Sequence, residues 1–273
     1  MPELPEVEVL RRSLEPALRG ERVATARVWQ RALREPVSAR LGKRLEGRRV
    51  ERLRRRAKYL WIDLEGGLTL VVHLGMSGRL TLVPAAEPRE LHEHVGIYFE
   101  SGRRLRFRDP RRFGLVLAIP TNRLDGDQRF RHLGVEPLGE RFDGSYLRAA
   151  AIGRRAPVKS FLLDGRIAVG VGNIYASEAL HRSAIHPTRS VSRISAARWE
   201  SLAEAVREVL TSAIEQGGTT LNDFSDGRGS PGYFQVSLEV YGREGEPCHR
   251  CGASVRRIVQ SNRSTFYCPG CQR

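Results

Sequence analysis

The chain has 273 residues, of which 46 are basic and 31 acidic, so its formal net charge is +15 and its pI is near 10.7. This length suits two domains, and the lack of a secretory signal and of an apolar run of about twenty residues excludes a membrane span and predicts a cytoplasmic protein. The surplus of positive charge predicts a polyanionic partner, most often nucleic acid, although basic ribosomal and membrane-surface proteins share it.

The N-terminus combines a candidate nucleophile with the start of a helix. Removal of Met1 would make Pro2 the terminal residue, and its secondary amine, with a pKa near ~8, could attack an aldehyde or aminal carbon to form an iminium. Glu3 could transfer protons beside it. A Met-Pro start with acidic residues in a first helical turn also occurs without any chemistry. A helix that stops at Gly20 is predicted by four apolar residues at helical spacing, namely Val7, Leu10, Leu14 and Leu18.

Lysine is rare among the basic residues of this chain. Only Lys43, Lys58 and Lys159 are lysine, and the other 43 basic residues are arginine. Arginine stays charged, whereas lysine can release its proton when it is buried, so each retained lysine is a candidate for chemistry or for a tight geometric fit. Lys58 precedes the apolar run Tyr59–Ile62, which predicts a strand entering a core, and is the candidate for a reactive role. Lys43 lies in a polar stretch and is predicted to be solvated.

From about residue 22 to residue 120, short apolar runs between glycine-rich or charged turns predict an antiparallel sandwich or barrel. The predicted strands are Leu60–Leu64, Leu68–His73, Val95–Phe99, Leu105–Phe107 and Leu115–Ile119. Between the last two runs, Asp109–Gly114 is a basic turn with an aromatic tip. This turn is either an ordinary β-turn with one core phenylalanine, or a wedge. In the second case Arg111 and Phe113, with Met76, would enter a duplex and fill the vacancy of an extruded base.

Residues 121–150 are predicted to be a connector and residues 151–216 to be helical. The clearest helix of this region is closed by Gly217-Gly218 and is followed by a polar loop at 217–233. Its apolar face is formed by Trp199, Leu202, Val206 and Leu210.

The turn Gly170–Asn173 predicts the start of another helix. Two glycines and an asparagine cap would leave backbone amides free to hold a phosphate, although a tight helix–helix turn would use the same residues. Lys159, predicted on the preceding helix, favours a clamp on a DNA backbone.

The four cysteines form two Cys-x-x-Cys pairs, Cys248 with Cys251 and Cys268 with Cys271, separated by sixteen residues. This spacing matches a zinc ribbon, in which two knuckles face each other across a β-hairpin, and a disulfide is disfavoured in the cytosol. Four thiolates complete a tetrahedron without an open position, so the sequence predicts one structural Zn²⁺ with His249 as a bystander. The hairpin between the pairs would present a basic edge to phosphates through Arg256, Arg257 and Arg263.

Together these motifs resemble the bacterial formamidopyrimidine-DNA glycosylases, which remove oxidised purines such as 8-oxoguanine. The resemblance spans nearly the whole chain and rests on Pro2–Glu8, Arg56–Leu60, His73–Gly78, Asp109–Gly114, Gly170–Leu180, Gly217–Leu221, Pro231–Phe234, Val240–Arg243 and the cysteine tail through Gln272. The sister endonuclease VIII family removes oxidised pyrimidines and usually begins Pro-Glu-Gly-Pro-Glu, so Leu4 favours the purine branch.

The resemblance implies a bifunctional DNA glycosylase and abasic-site lyase of base excision repair. Its partner would be double-stranded DNA that contains oxidised purines or abasic sites, and the enzyme would be monomeric and bacterial. Two alternatives remain: an oxidised-pyrimidine glycosylase, and a zinc-ribbon DNA-binding or ribosome-associated protein without catalytic activity.

The resemblance also implies roles for individual residues. Pro2 would attack the sugar C1′, Glu3 would transfer protons, Lys58 would assist base loss and β-elimination, and Arg263 would assist δ-elimination. Void filling would fall to Met76, Arg111 and Phe113. The residues implied in DNA contacts, mostly to phosphates, are His73, His92, Arg111, Arg154, Lys159, Asn173, Tyr241 and Arg263.

The implied fold is an α+β multidomain protein with DNA crossing a cleft between its halves. An N-terminal antiparallel β-sandwich with flanking helices would span 1–130 and a connector 131–150. A helix–two-turns–helix domain would span 151–235, with the 217–233 loop closing over the flipped base, and a zinc-ribbon hairpin 236–273. The chain departs from the family pattern at Arg154, Gly165 and Asn222.

Overall fold

The computed structural model describes residues 2–219 and 237–273. Asn222, most of the predicted 217–233 loop and the motif Pro231–Phe234 lie outside these residues. Within them, no helix has both the length and the apolar composition that a membrane span requires. The described residues divide into two compact units.

The first unit consists of residues 2–131 and 216–219. Its helices and strands are α1 (Leu4–Leu18), β1 (Val23–Val28), α2 (Leu41–Leu45), β2 (Val50–Arg56), β3 (Tyr59–Leu64), β4 (Leu68–His73), β5 (Arg79–Pro84), β6 (Glu93–Phe99), β7 (Arg103–Arg108) and β8 (Leu115–Pro120). The strands form two antiparallel sheets in the orders β1-β6-β7-β5 and β2-β3-β4-β8. One apolar core contains side chains of both sheets and of α1, which confirms the predicted sandwich.

The sequence analysis does not predict β1, β2 and β5, because these strands lack a clean alternation of apolar and polar residues. The strand pairing shifts between Val23 and Thr25 in β1 and between Val50 and Arg52 in β2, and each irregularity interrupts the two-residue period. Strand β5 lies at the edge of its sheet and buries only Leu80. The five predicted strands are present; β4 has the predicted bounds, and the other four are longer by a residue or more.

Helix α1 follows the predicted pattern. Its four periodic apolar residues are fully buried, and Gly20, just past its end, has a φ of +87°. Glycine adopts this left-handed conformation without strain and so ends the helix. The N-terminus of α1, with Pro2 and Glu3 directly before it, is thereby packed on the sandwich core.

The second unit consists of residues 132–215 and 237–273. Its elements are α3 (Gly144–Ala151), α4 (Val158–Leu162), α5 (Asn173–Arg182), α6 (Ala196–Glu215), β9 (Arg256–Gln260) and β10 (Arg263–Tyr267). Helix α3 begins inside the stretch predicted as a connector, and Asp143 caps it by accepting a hydrogen bond from Tyr146 N at 2.6 Å. The predicted apolar face of α6 is buried as expected.

Strands β9 and β10 form the hairpin that the cysteine spacing predicts. Arg263 pairs with Gln260, so only Ser261 and Asn262 form the turn. Both turn residues have positive φ, +48° and +59°, as a two-residue type I′ turn requires. Arg263 therefore stands exposed at the tip of the hairpin.

Candidate functional site

Pro2 and Glu3 are buried at the N-terminus of α1, and Glu6 fixes the backbone beside them. One carboxylate oxygen of Glu6 accepts from Glu3 N at 2.7 Å, and the other accepts from Thr219 N at 3.0 Å. The Glu6 carboxylate thus ties the start of α1 to a residue four positions past the end of α6. No local pattern in the sequence predicts this role, because the partner lies 213 residues away in the chain. While Met1 is attached, the nitrogen of Pro2 belongs to a peptide bond and is not a nucleophile.

Lys58 lies in the two-residue turn between β2 and β3, directly before the strand that it was expected to open. Ala57, the other turn residue, has a φ of +54°. A salt bridge between Glu8 of α1 and Arg55 of β2, at 3.4 Å, joins the first half of α1 to the strand end that leads into this turn. Burial tends to raise the pKa of Glu8, but hydrogen bonds from Arg11 and Arg12 outweigh it and lower that pKa. The carboxylate therefore stays ionised and ties α1 to the strand that leads into the Lys58 turn.

His73 lies beside Lys58 at the end of β4. It pairs with Tyr59 across the sheet, with ring centroids 4.8 Å apart, and its Nδ1 accepts from Gly75 N at 2.9 Å. Burial, helped by the positive charges of Arg34 and Lys58, lowers the pKa of His73 to about 4. The ring is therefore neutral near pH 7 and carries its proton on Nε2, so it can donate one hydrogen bond to a phosphate without carrying a charge.

Met76, Arg111 and Phe113 come together on two loops that are bonded to each other. Met76 is 41% and Phe113 47% exposed, and the Arg111 guanidinium lies 5.0 Å from the centre of the Phe113 ring. The turn is present, since Arg112 N donates to Asp109 O at 3.1 Å, but a phenylalanine in the core is wrong. The two apolar side chains and the stacked cation project from the surface, as a wedge requires.

A hydrogen-bonded frame beneath the wedge is built around Asp109. Its carboxylate accepts from Ser77 Oγ at 2.6 Å and from Gly114 N at 2.7 Å, and Ser77 Oγ in turn accepts from Arg111 N at 3.1 Å. Gly75 lets the loops meet, since a Cβ at this position would lie 2.5 Å from the Phe113 carbonyl carbon. The same frame reaches His92, which has a φ of +65° and whose carbonyl accepts from Asp109 N at 3.0 Å.

The sequence predicts Asn173 as the N-cap of α5, but the structure places it one position later. The N-cap is Gly172, and Asn173 is the first helical residue. Its Nδ2 donates to Ser264 O at 2.8 Å and lies 3.4 Å from the hydroxyl of Tyr241. Asn173 and Tyr241 are thus brought together by the strand that begins with Arg263.

Lys159 lies on α4 as predicted, but it is only 1% exposed. Its ammonium donates to Thr265 Oγ1 at 2.8 Å and to Ser264 O at 3.4 Å. In this structure Lys159 therefore fastens β10 to α4, and its contact with a phosphate stays a prediction. Arg154, by contrast, is exposed, and its nearest carboxylate, that of Asp164, is 3.9 Å away.

Glu178 holds the chain segment that carries Tyr241. Its buried carboxylate accepts from the backbone N–H groups of Glu239, Val240 and Tyr241 at 2.8–3.1 Å. Burial raises its pKa, and the three donors oppose that rise. The sequence analysis missed this residue, although an acidic residue within the buried helical run Ala176–Leu180 signals a polar anchor.

The four cysteines fit a tetrahedral zinc ion. Their sulfur atoms all lie within 4.8 Å of one another, with Cys251 and Cys268 at 3.4 Å and Cys248 and Cys271 at 3.9 Å. A tetrahedron with Zn–S bonds of about 2.3 Å has edges of about 3.8 Å. His249 is outside this set and contacts Glu239 at 3.2 Å. The cysteines form a structural zinc site without an open position for a substrate.

Three family models match the chain in succession. They are the formamidopyrimidine-DNA glycosylase N-terminal domain at residues 1–116, the formamidopyrimidine-DNA glycosylase H2TH domain at 133–225, and the zinc finger found in FPG and IleRS at 245–273. The chain belongs to the formamidopyrimidine-DNA glycosylase family.

Curated relatives and solved structures agree with this membership. Formamidopyrimidine-DNA glycosylases of Stutzerimonas stutzeri and Ruegeria pomeroyi are 52% and 50% identical to the chain, and each match covers 100% of both proteins. Two Lactococcus lactis FPG structures superpose with TM-scores of 0.93 at 33% identity. One is a point mutant in complex with DNA containing Fapy-dG, covering 100% of both chains, and the other is a complex with DNA containing an abasic site, covering 99% of both.

The comparisons confirm the resemblance, the α+β fold and the structural zinc that the sequence analysis expected. They leave the roles of individual site residues as predictions. Gly165, one of the departures from the family pattern, has open space where a Cβ would stand and no left-handed φ, so nothing in the structure requires glycine there.

Proposed function

We propose that the chain is a bifunctional DNA glycosylase and abasic-site lyase that removes oxidised purines, such as 8-oxoguanine and formamidopyrimidines, from duplex DNA. The observation that carries this proposal is the full-length match, at about half identical residues, to proteins named formamidopyrimidine-DNA glycosylase. The Pro2-Glu3-Leu4 start supports the purine branch of the family.

The reaction begins when the amine of Pro2 attacks C1′ of the damaged nucleotide. A C–N bond to the enzyme forms while the glycosidic C1′–N bond breaks, and its electron pair leaves with the base, which takes up a proton. The amine loses its proton, and the C1′–O4′ bond then breaks as O4′ takes up a proton, which leaves an iminium between Pro2 and C1′ of the opened sugar. This iminium acidifies C2′–H, so loss of that proton expels the 3′-phosphate, and a second elimination expels the 5′-phosphate. Water then hydrolyses the conjugate and returns the Pro2 amine. Glu3 and Lys58 transfer protons in these steps, and Arg263 assists the second elimination.

The described surface supports duplex DNA as the partner. The net charge of +15 favours a polyanion, and the half-exposed wedge of Met76, Arg111 and Phe113 is suited to the gap that an extruded base leaves. His73 supplies a neutral donor for a phosphate beside Lys58. We propose that the enzyme acts as a monomer associated with the bacterial nucleoid.

Borohydride trapping tests the covalent step, because reduction of the iminium leaves a stable protein–DNA adduct. The matched samples are one preparation that retains Met1 and the same preparation after treatment with methionine aminopeptidase. We expect the adduct only after treatment, with similar affinity for undamaged DNA in both samples. An adduct formed with Met1 in place would refute Pro2 as the nucleophile.

Lesion specificity is tested with duplexes that carry 8-oxoguanine, formamidopyrimidine or thymine glycol. We expect the two purine lesions to be excised with the higher kcat/KM. Faster excision of thymine glycol would favour the oxidised-pyrimidine alternative. Binding without any adduct or strand cleavage would favour a DNA-binding protein without catalytic activity.

A further inference from the structure

Helix α5 carries three polar side chains that reach the C-terminal zinc module at three different places. Asn173 donates to the backbone of β10, and Glu178 accepts from the backbone at residues 239–241. The third is His181, near the end of the helix, whose Nε2 lies 3.5 Å from Cys248 Sγ. The first two contacts reach the backbone, whereas the third reaches a zinc ligand itself.

His181 is built into the interior and is not a surface residue that happens to lie near the cysteine. It is 1% exposed, and Cys248 is 2% exposed. A metal-bound thiolate has lone pairs and no proton, so the hydrogen between these atoms belongs to Nε2, and His181 is the donor. With its proton on Nε2, the neutral ring leaves Nδ1 as an acceptor. No donor among the described residues reaches Nδ1.

A polar cleft lies beside His181 but does not expose Nδ1. The cleft, of about 390 Å³, is lined by His181 and by the side chains of Arg182, Ser212 and Arg250, among others. Nδ1 itself is buried from solvent. A proton on Nδ1 would lack an acceptor and would leave the Nε2 lone pair facing the thiolate, so the neutral ring carries its proton on Nε2.

We propose that His181 is a positioning residue of the zinc site, which donates an Nε2–H···S hydrogen bond to Cys248. Four thiolates and one Zn²⁺ carry a net charge of −2 in a partly buried site, and an N–H donor stabilises that charge. The bond also fixes the first knuckle relative to the helix that bears Asn173. His249, the residue after Cys248, is exposed and contacts Glu239, so it offers a control.

The zinc affinity of the full-length protein tests the proposal by competition with a chromophoric chelator. His181→Phe fills the space of the ring without a donor, and we expect it to weaken zinc binding by about 10- to 100-fold, as loss of an outer-sphere partner does. His181→Gln places an amide N–H near the position of Nε2 and should restore most of the affinity. His249→Phe should bind zinc as the wild type does. Wild-type affinity in His181→Phe, or an equal loss in His181→Gln, would overturn the assignment.

A spectroscopic measurement on the wild-type protein does not depend on how the variants fold. With ¹¹³Cd in place of zinc and ¹⁵N-labelled histidine, a hydrogen bond to a ligand sulfur transmits a scalar coupling from the Nε2 proton to the metal. We expect one histidine to show this coupling, and we expect it to vanish in His181→Phe and persist in His249→Phe. Absence of the coupling in the wild type would refute the hydrogen bond, whatever the chelator competition shows.

Discussion

Replacement of Phe113 by alanine should separate recognition of damage from general DNA binding. The ring is 47% exposed in the free protein, so close to half of its surface is available to pack against bases. For a side chain of about 200 Å², this half is roughly 95 Å². At about 25 cal/mol per Å², its burial contributes about 2.3 kcal/mol, or roughly 50-fold in the dissociation constant. This contribution exists only where a base has left the stack.

The assay compares two duplexes at one salt concentration, one with a stable abasic-site analogue and one undamaged. We expect Phe113→Ala to weaken binding of the first by roughly 50-fold and to leave binding of the second nearly unchanged, because phosphate contacts dominate non-specific affinity. The melting temperature should change little, since Phe113 contributes little to the core. Leu138→Ala is the matched control, because Leu138 is 37% exposed but belongs to the second unit and is not part of the wedge.

An equal loss of affinity for both duplexes would refute the reasoning, because it would mean that the ring contacts intact DNA or holds the loop in place. A loss shared by Leu138→Ala would likewise show that exposed apolar side chains bind DNA without regard to the wedge.

The remaining predictions concern charge and positioning. The unfolded chain takes up a proton at His73 as the pH falls through 6.5, whereas the folded chain does so only near pH 4. The free energy of unfolding should therefore fall by about 2 kcal/mol between pH 7 and 4.5. His73→Asn, which keeps an acceptor for the neighbouring N–H, should remove that part of the loss in urea titrations. Arg154→Ala should weaken binding of all duplexes alike and lower the slope of log K against log salt by about one, and an unchanged slope would exclude a phosphate contact. Glu6→Ala should lower kcat of the lyase step more than it lowers DNA affinity. The loss of the helix cap should also reduce the free energy of unfolding by about 1 kcal/mol. An unchanged kcat would show that catalysis does not need the hydrogen bonds of Glu6. Lys58→Arg should fold and bind but excise slowly, whereas Lys159→Arg should lower the melting temperature, and the reverse pattern would contradict both assignments.

The parts of the fold that the sequence predicts are those whose signal is local. Helix α1 follows from apolar residues three and four positions apart, and the zinc site follows from two pairs of cysteines. Strands β1 and β2 are not predicted, because bulges interrupt the two-residue alternation of their side chains. The contacts of Glu6 and His181 are not predicted for another reason. Glu6 bonds a residue 213 positions away in the chain, and His181 contacts one 67 positions away. No local pattern encodes such partners.

The three lysines stand out from the composition alone. In a chain that uses arginine at 43 of 46 basic positions, a retained lysine indicates a place where a guanidinium does not serve. Lys159 is such a place for reasons of packing. Its buried ammonium donates to one hydroxyl and one carbonyl. An arginine guanidinium has five N–H donors in a rigid plane, so several of them would be buried there without an acceptor. Lys43 on α2 is exposed and meets no such limit. Lys58 is partly buried, and its positive charge helps to lower the pKa of His73 at the end of β4. Packing therefore explains Lys159, whereas the structure gives no packing reason for Lys58, and its role in proton transfer, which an amine can perform and a guanidinium cannot, stays a prediction.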